Sequence, residues 1–540
     1  MKWMTCALSL YLCFPMISAE PKEEESVRFD PQRLIANPVK SLAVPSSNPS
    51  LAEPMLLVFS PSMEAQEHVR QGFAWISASW DFEAYRHFCA AVEADRQCLM
   101  AYCGIVLALT SPQHEFHEQR AVAYNRMLTL AEYKEEGEFF YPENERMYAV
   151  AIAELIVGGV GKSARVFHHL AKTYPNDTMG RLLANYLSRG GYGDLQRPTV
   201  RQQRSIDNIQ SIVEQEPDDS LALNFLIMLQ AEAPQTAVDF GTDLEPLVKK
   251  LVDLSKAGVP TWHELHGYIA MRAGMAKVAE SSYRKAYSQF RDWKSKNKVT
   301  AADSDVILRV GMKLAELMLK QGRDEEAMEV LDVLTKTPLM LFREESSARV
   351  LYMWGLQTLP MKAAIANREY ALAKKRMPMH LFADDSKDEP LLDILNAYRA
   401  LLDCHLAVSE GATQKADSYY TNFNRHLDQL VKKEGKYHKH PAYLEYIRSL
   451  DGLLIYSKEL KSRLVSQDHA KLYWLQLAAE TPNIPSRIQP LEVIYPMQYR
   501  LGEFFEAQGD SEAALEAYRA ATVKDPIYLP AHQAVERLSK

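Results

Sequence analysis

Between Tyr495 and Pro526, small and large residues alternate in a pattern that suits a tightly packed pair of antiparallel helices. Counting Tyr495 as one, Leu501, Gly502 and Phe505 fall at seven, eight and eleven. Ala514, Tyr518 and Ala521 follow at twenty, twenty-four and twenty-seven. The small side chains let two helix backbones approach closely, and Leu501, Phe505 and Tyr518 fill the space between pairs. Gly509 supplies a permissive backbone where the first helix ends, and Pro526 cannot continue the second. One such pair cannot bury its own apolar face, so stacked neighbours are required. The expected fold class is therefore all-α, an α-solenoid of helix hairpins.

The same register recurs upstream. From Ala65 it places Gly72, Trp75, Ala84, Phe88 and Ala91; from Pro260 it places Gly267, Gly274, Ala279, Tyr283 and Ala286. From Leu308 it places Leu314, Ala315, Met318, Gly322, Ala327, Leu331 and Leu334. A weaker match runs from Ala397 through Cys404, Gly411, Ala416, Tyr420 and Phe423. These residues resemble the tetratricopeptide repeat (TPR) signature. A finer resemblance, to exported bacterial TPR proteins of unassigned role, rests on four stretches: Phe82 to Phe88, Asp95 to Tyr102, Leu223 to Ile227 and Ile269 to Gly274. No sustained two-residue alternation of the kind strands need is seen among the repeats.

The spacing between matches is irregular. A polar insertion around Arg291 to Asp305 suggests a division into an N-terminal superhelix, 62–290, and a C-terminal one, 300–540. Residues 1–19 read as a secretory signal peptide: Lys2, an apolar core from Trp3 to Met16, and Ile17-Ser18-Ala19 as a cleavage site. The expected location is thus exported, periplasmic or extracellular. Residues 20–61 hold Pro21, Pro31, Pro38, Pro45, Pro49 and Pro54, and read as a disordered or extended linker with a short apolar contact around Met55 to Phe59. Cys89, Cys98 and Cys103 either form one local bridge or pack as small core residues.

Candidate chemistry is sparse. Gly158-Gly159-Val160-Gly161-Lys162-Ser163 has Ile156 where a phosphate loop needs its first glycine, and it follows a helix rather than a strand. It reads as a turn, with Ser163 capping the next helix. His263-Glu264-Leu265-His266 lacks the four-residue spacing of paired metal ligands on one helix face. His114 with His117, His168 with His169, and His438 with His440 show no supporting third ligand. No catalytic residue, metal site or cofactor is nominated.

The resemblance to TPR proteins implies that a concave face holds extended peptides or partner helices. Positions on that face nominate Phe73, Tyr268, Met271, Arg272, Met312, Glu316, Tyr499, Glu503 and Glu506 as a partner-binding groove. Its mixed apolar and acidic character suits a segment with apolar and basic groups. The reading is an exported, non-catalytic scaffold for protein or peptide partners, with no nucleic acid, no membrane span and self-association open. The net charge of −8 fits poorly with a general polyanion binder. The alternative is a small-ligand or metal-binding module with weak hydrolytic activity, carried by the histidine-containing regions.

Overall fold

The computed structural model describes residues 30–110, 116–193, 196–255, 258–344, 346–382 and 388–540. The expected leader, 1–19, and His114 lie outside these residues. The described chain opens with a 3-10 turn, Pro31–Leu34, and one helical turn, α1 (Asn37–Lys40). Then follow α2 (Met63–Ser77), α3 (Asp81–Ala94), α4 (Leu99–Ala108), α5 (His117–Ala131), α6 (Glu143–Val157), α7 (Val160–Thr173) and α8 (Thr178–Ser188). Next come α9 (Val200–Gln215), α10 (Ser220–Ala231), α11 (Glu245–Leu254), α12 (Pro260–Arg272) and α13 (Ala276–Asn297). A short antiparallel pair, β1 (Lys134–Glu135) and β2 (Glu138–Phe139), joins α5 to α6.

The second half contains α14 (Val306–Lys320), α15 (Asp324–Leu334), α16 (Ser347–Val350), α17 (Leu359–Ala366), α18 (Tyr370–Lys375), α19 (Glu389–Ser409) and α20 (Thr413–Tyr437). It closes with α21 (Tyr443–Leu464), α22 (Asp468–Glu480), α23 (Met497–Ala507), α24 (Ser511–Lys524) and α25 (Leu529–Leu538). A π-helical turn, Leu351–Leu356, continues α16.

Why these residues pair as hairpins is visible at repeat positions eight and twenty-four. A Cβ placed on Gly72 would stand 2.5 Å from the Phe88 ring, and one on Gly267 would stand 2.8 Å from the Tyr283 ring. Gly502 meets the ring of Tyr518 in the same way. Each large ring therefore fills the space that its glycine vacates sixteen residues earlier, and Phe88, Tyr283 and Tyr518 are all buried. Gly509 ends α23 at φ 80°, a left-handed conformation that a side chain would strain. Asp510 then caps α24 by accepting the Ala513 N–H at 3.0 Å. The chain is an all-α solenoid of TPR-like hairpins.

Contacts divide it into two compact units: residues up to His266 with Asp292–Val299, and Gly267–Arg291 with Thr300–Lys540. In the first unit the core is aromatic, with Phe73, Tyr85, Phe88, Tyr102 and Tyr148 fully buried. In the second, Tyr398, Tyr446, Tyr456 and Tyr495 play that part, among many buried charges. Among the described residues no helix is long and apolar enough to cross a membrane.

Candidate functional site

Each unit holds an extended stretch of the chain itself. In the first unit that stretch is residues 48–60, all of it outside any helix. Polar groups near the starts of successive first helices hold it, through its main chain at Phe59, Met55 and Ala52 and through its side chains at Ser60 and Asn48. The Ser60 hydroxyl meets the Asp95 carboxylate at 2.5 Å, just ahead of α4. The Phe59 N–H donates to Glu145 in the first turn of α6. The Met55 N–H donates to the Thr178 hydroxyl at 3.0 Å, and the Thr178 N–H returns a bond to the Met55 carbonyl, also at 3.0 Å. The Ala52 N–H donates to the Ser220 hydroxyl at 3.1 Å, at the start of α10. Finally the Asn48 side-chain amide donates to the Gly258 carbonyl at 3.3 Å, beside α12.

The geometry explains this register. Neighbouring helices pack about 8–10 Å apart, and an extended chain advances about 3.3 Å per residue. Three or four residues therefore carry the strap from one first helix to the next, as the steps 59, 55, 52 and 48 show. The first N–H groups of a helix have no partner inside it, so a passing carbonyl such as that of Met55 is well placed to accept from one. Burial along the strap alternates: Pro54, Leu56 and Val58 are buried, and Met55, Leu57 and Phe59 are exposed. That period of two is the signature of an extended segment lying on a surface.

Residues preceding the strap continue its attachment. The Tyr85 hydroxyl donates to the Leu34 carbonyl at 2.5 Å and accepts the Ala36 N–H at 2.9 Å. Arg86 donates to the Ala43 carbonyl at 2.8 Å, and Ser47 donates to Glu67. Next to Glu67 and Arg86 in the chain, His68 and His87 bring their Nδ1 atoms within 3.0 Å, both buried.

The second unit contains a proline-rich segment, Pro482 to Pro496, that is also outside any helix. The Lys313 ammonium donates to the Ser486 carbonyl at 3.0 Å, and Arg448 donates to the Pro490 carbonyl at 3.0 Å. The Leu491 N–H donates to Glu316 at 3.4 Å. Glu492 pairs with Lys362 at 2.8 Å, and the Tyr495 hydroxyl donates to Glu459 at 2.6 Å. Burial alone would raise the Glu316 carboxyl, but Lys313 and Lys320 hold it at about 2.

The residues nominated from sequence sit mostly inside this packing. Phe73, Tyr268, Met271, Arg272, Met312 and Glu316 are buried and do not line an open groove. Phe73 packs on Phe88 and Tyr148, with ring centroids 5.3 and 5.9 Å away. Arg272 donates to the Tyr268 hydroxyl at 3.3 Å. Tyr499 is half-buried against Tyr518 and Tyr528. Glu503 accepts from Arg368 and Arg500, and Glu506 from Arg537 and Tyr518. Glu316 does hold an extended peptide, but that peptide is the chain's own. The repeat register assigns a residue to a face; it says nothing of what later or earlier sequence covers that face.

The residues missed by the register are Glu145, Thr178 and Ser220. The only local signal at Thr178 and Ser220 is that each follows an aspartate cap, Asp177 or Asp219, which marks the start of a helix.

The remaining candidates resolve simply. Ser163 does not cap α7: Gly159 occupies that place, and Ser163 is buried within the helix. Cys89, Cys98, Cys103 and Cys404 are free and buried, and burial raises their thiols, Cys98 to about 12. His266 approaches Glu245 at 3.4 Å, and His168 contacts Ser188 at 2.7 Å beside a polar pocket of about 360 Å³ that also involves Lys172, Arg181 and Asn208. Among the described residues no three His, Cys, Asp or Glu side chains converge as metal ligands would.

No protein-family model and no curated protein matches the chain. Solved structures that match include human IFIT1, as a dimer with m7Gppp-AAAA, at 11% identity over 82% of this chain and 89% of that one, with a TM-score of 0.34. The Cut9–Hcn1 hetero-tetramer of APC/C matches at 11% identity over 88% and 90%, with a TM-score of 0.23. Yeast Tom70 matches at 10% identity over 88% and 95%, with a TM-score of 0.21. At such identities and scores these likenesses carry no statement about activity.

Proposed function

We propose that the protein is an exported, non-catalytic helical-repeat scaffold that holds an extended segment of a protein or peptide partner. The observation that supports this reading is the strap at residues 48–60. It exhibits, within one chain, polar side chains that read a passing main chain and apolar sites that take alternate side chains. Export rests on the leader-like residues 1–19. A protein or peptide, rather than a nucleic acid, suits a formal charge of −8.

The test is photo-crosslinking in the native envelope or secreted fraction. A photoreactive residue at Met63 or Tyr499 of the mature chain, from Glu20 onward, would be activated, and adducts identified by mass spectrometry. The expected result is one protein recovered at Met63 or Tyr499 and absent when the probe is placed on an exposed site such as Val523. Equal recovery everywhere, or nothing above background, overturns the reading.

A further inference from the structure

The strap is held in two ways that differ in what they recognise. Its main chain is bound by Ser220, Thr178 and Glu145, together with the Thr178 N–H. Those bonds involve only N–H and C=O groups of the strap, which every non-proline residue carries. Its identity is read separately, through the buried Pro54 and through Leu51, Leu56 and Val58, which are 4–8% exposed, whereas Leu57 is 71% exposed. Main-chain bonds for affinity with pockets for alternate side chains is the arrangement by which proteins bind extended peptides.

We propose that the ends of α6, α8, α10 and α12 form a peptide-binding cradle for extended protein segments with apolar residues at alternate positions, and that residues 48–60 are its resident ligand in cis. This rests on the scaffold reading and deepens it by stating what the partner segment must look like. A partner segment needs two or three apolar side chains spaced by two. It needs N–H groups at the positions of Ala52, Met55 and Phe59, so proline is excluded there, whereas Pro54 occupies a position whose N–H is not used. Outward-facing positions are free to vary. Entry of such a segment requires the resident strap to leave, so binding in trans is competitive with the chain's own residues.

The experiment uses the full chain with a specific protease site inserted between Pro61 and Ser62. After cutting, circular dichroism reports whether the body remains folded, and gel filtration reports whether the cut strap stays with it. A fluorescent synthetic peptide of residues 46–60 is then added in excess. The expected result is slow replacement of the resident strap by the labelled peptide. The same peptide carrying Leu56→Asp and Val58→Asp should bind about a hundredfold or more weaker, because two buried apolar side chains are lost.

A folded body that never admits the labelled peptide, or one that admits both peptides equally, overturns the proposal. If cutting unfolds the body, the strap is core rather than ligand, and the proposal also fails. A second measurement needs no cleavage. The uncut chain carrying Leu56→Asp and Val58→Asp should bind the unsubstituted labelled peptide, and the unmodified chain should bind it far less. Peptide exchange without any crosslinked partner would count against the scaffold reading alone. A crosslinked partner without exchange would count against the cradle alone.

Discussion

At the scale of single residues, a buried histidine pair and a carboxyl that holds the strap make stability depend on pH in two opposed ways. His68 and His87 meet through their Nδ1 atoms, so one must donate and the other accept, and the accepting ring is neutral. Burial pushes His87 down to about 3, with His68 and Arg86 adding to the effect. Burial also lowers His68, against the pull of Glu64 and Glu67. Unfolded, such a histidine takes its proton near 6.5, so below that pH the unfolded chain binds more protons. Their contribution is therefore level above about 6.5 and falls toward acid, by up to about 1.4 kcal/mol per pH unit for His87 and by less for His68.

Glu145 has the opposite sign. Burial raises it to about 8, although the Phe59 N–H works against the shift. Its contribution is complete below about 4.5 and is lost as pH rises toward 8. Urea titrations from pH 4 to 9 test both. His87→Gln should flatten the acid limb. Glu145→Gln keeps an acceptor for Phe59 but cannot ionise, so it should match the parent at pH 4 and exceed its stability at pH 8. Parallel profiles for parent and variants would show that water reaches these groups.

At the scale of elements, the hairpins were legible because their packing rule is local. A glycine at position eight and a ring at twenty-four lie sixteen residues apart, and both can be read from one window. Gly267 and Gly435 turn that rule into a prediction. Both lie within helices, where alanine is favoured over glycine by about 0.8–1 kcal/mol. A Cβ at Gly435 meets nothing within 4 Å, so Gly435→Ala should stabilise by up to that amount. A Cβ at Gly267 would collide with the buried Tyr283 ring at 2.8 Å, and overpacking typically costs about 1–3 kcal/mol. Gly267→Ala should therefore destabilise on balance. The midpoint of urea unfolding reads both signs.

The strap was only half legible, also for a physical reason. Its prolines exclude a regular helix, so an extended form follows from composition. Whether an extended chain is loose or pinned depends on Glu145, Thr178 and Ser220, which lie far along the sequence. No local pattern links them to Ala52, Met55 or Phe59. Once the strap is seen, adjacent leucines separate cleanly: Leu56 is 6% exposed and Leu57 is 71% exposed. Leu56→Asp should lower stability by more than 2 kcal/mol, because an unpaired charge replaces a buried side chain. Leu57→Asp should stay within about 0.5 kcal/mol of the parent. Thermal unfolding of the two variants side by side decides the register, and equal losses would contradict it.

At the scale of the whole molecule, the faces assigned to a partner by the repeat register are partly filled by the chain's own extended segments. In the second unit the filling is held by buried charge. Glu316 lies between Lys313, 2.6 Å away, and Lys320, 3.1 Å away, and Lys320 reaches Asp525 at 2.8 Å. The sequence marked Glu316 as an acidic groove residue because its repeat position matched; it could not show that two lysines and the segment around Leu491 close over it. Burying ions is expensive, and removing one partner leaves the others uncompensated, at a cost of about 3–5 kcal/mol. Glu316→Ala should lose stability on that scale and expose the segment from Pro482 to Pro496 to limited proteolysis. Because buried charges are little screened, the loss should be nearly the same at low and high salt. The exposed pair Glu536 and Lys540, 2.9 Å apart, provides the contrast: Glu536→Ala should change stability by less than about 1 kcal/mol, and what change there is should fade with salt. A small or strongly salt-dependent loss at Glu316 would mean that the cluster is wet. The proline-rich segment would then be held by packing alone, and this face of the second unit would be free to open without breaking an ion network.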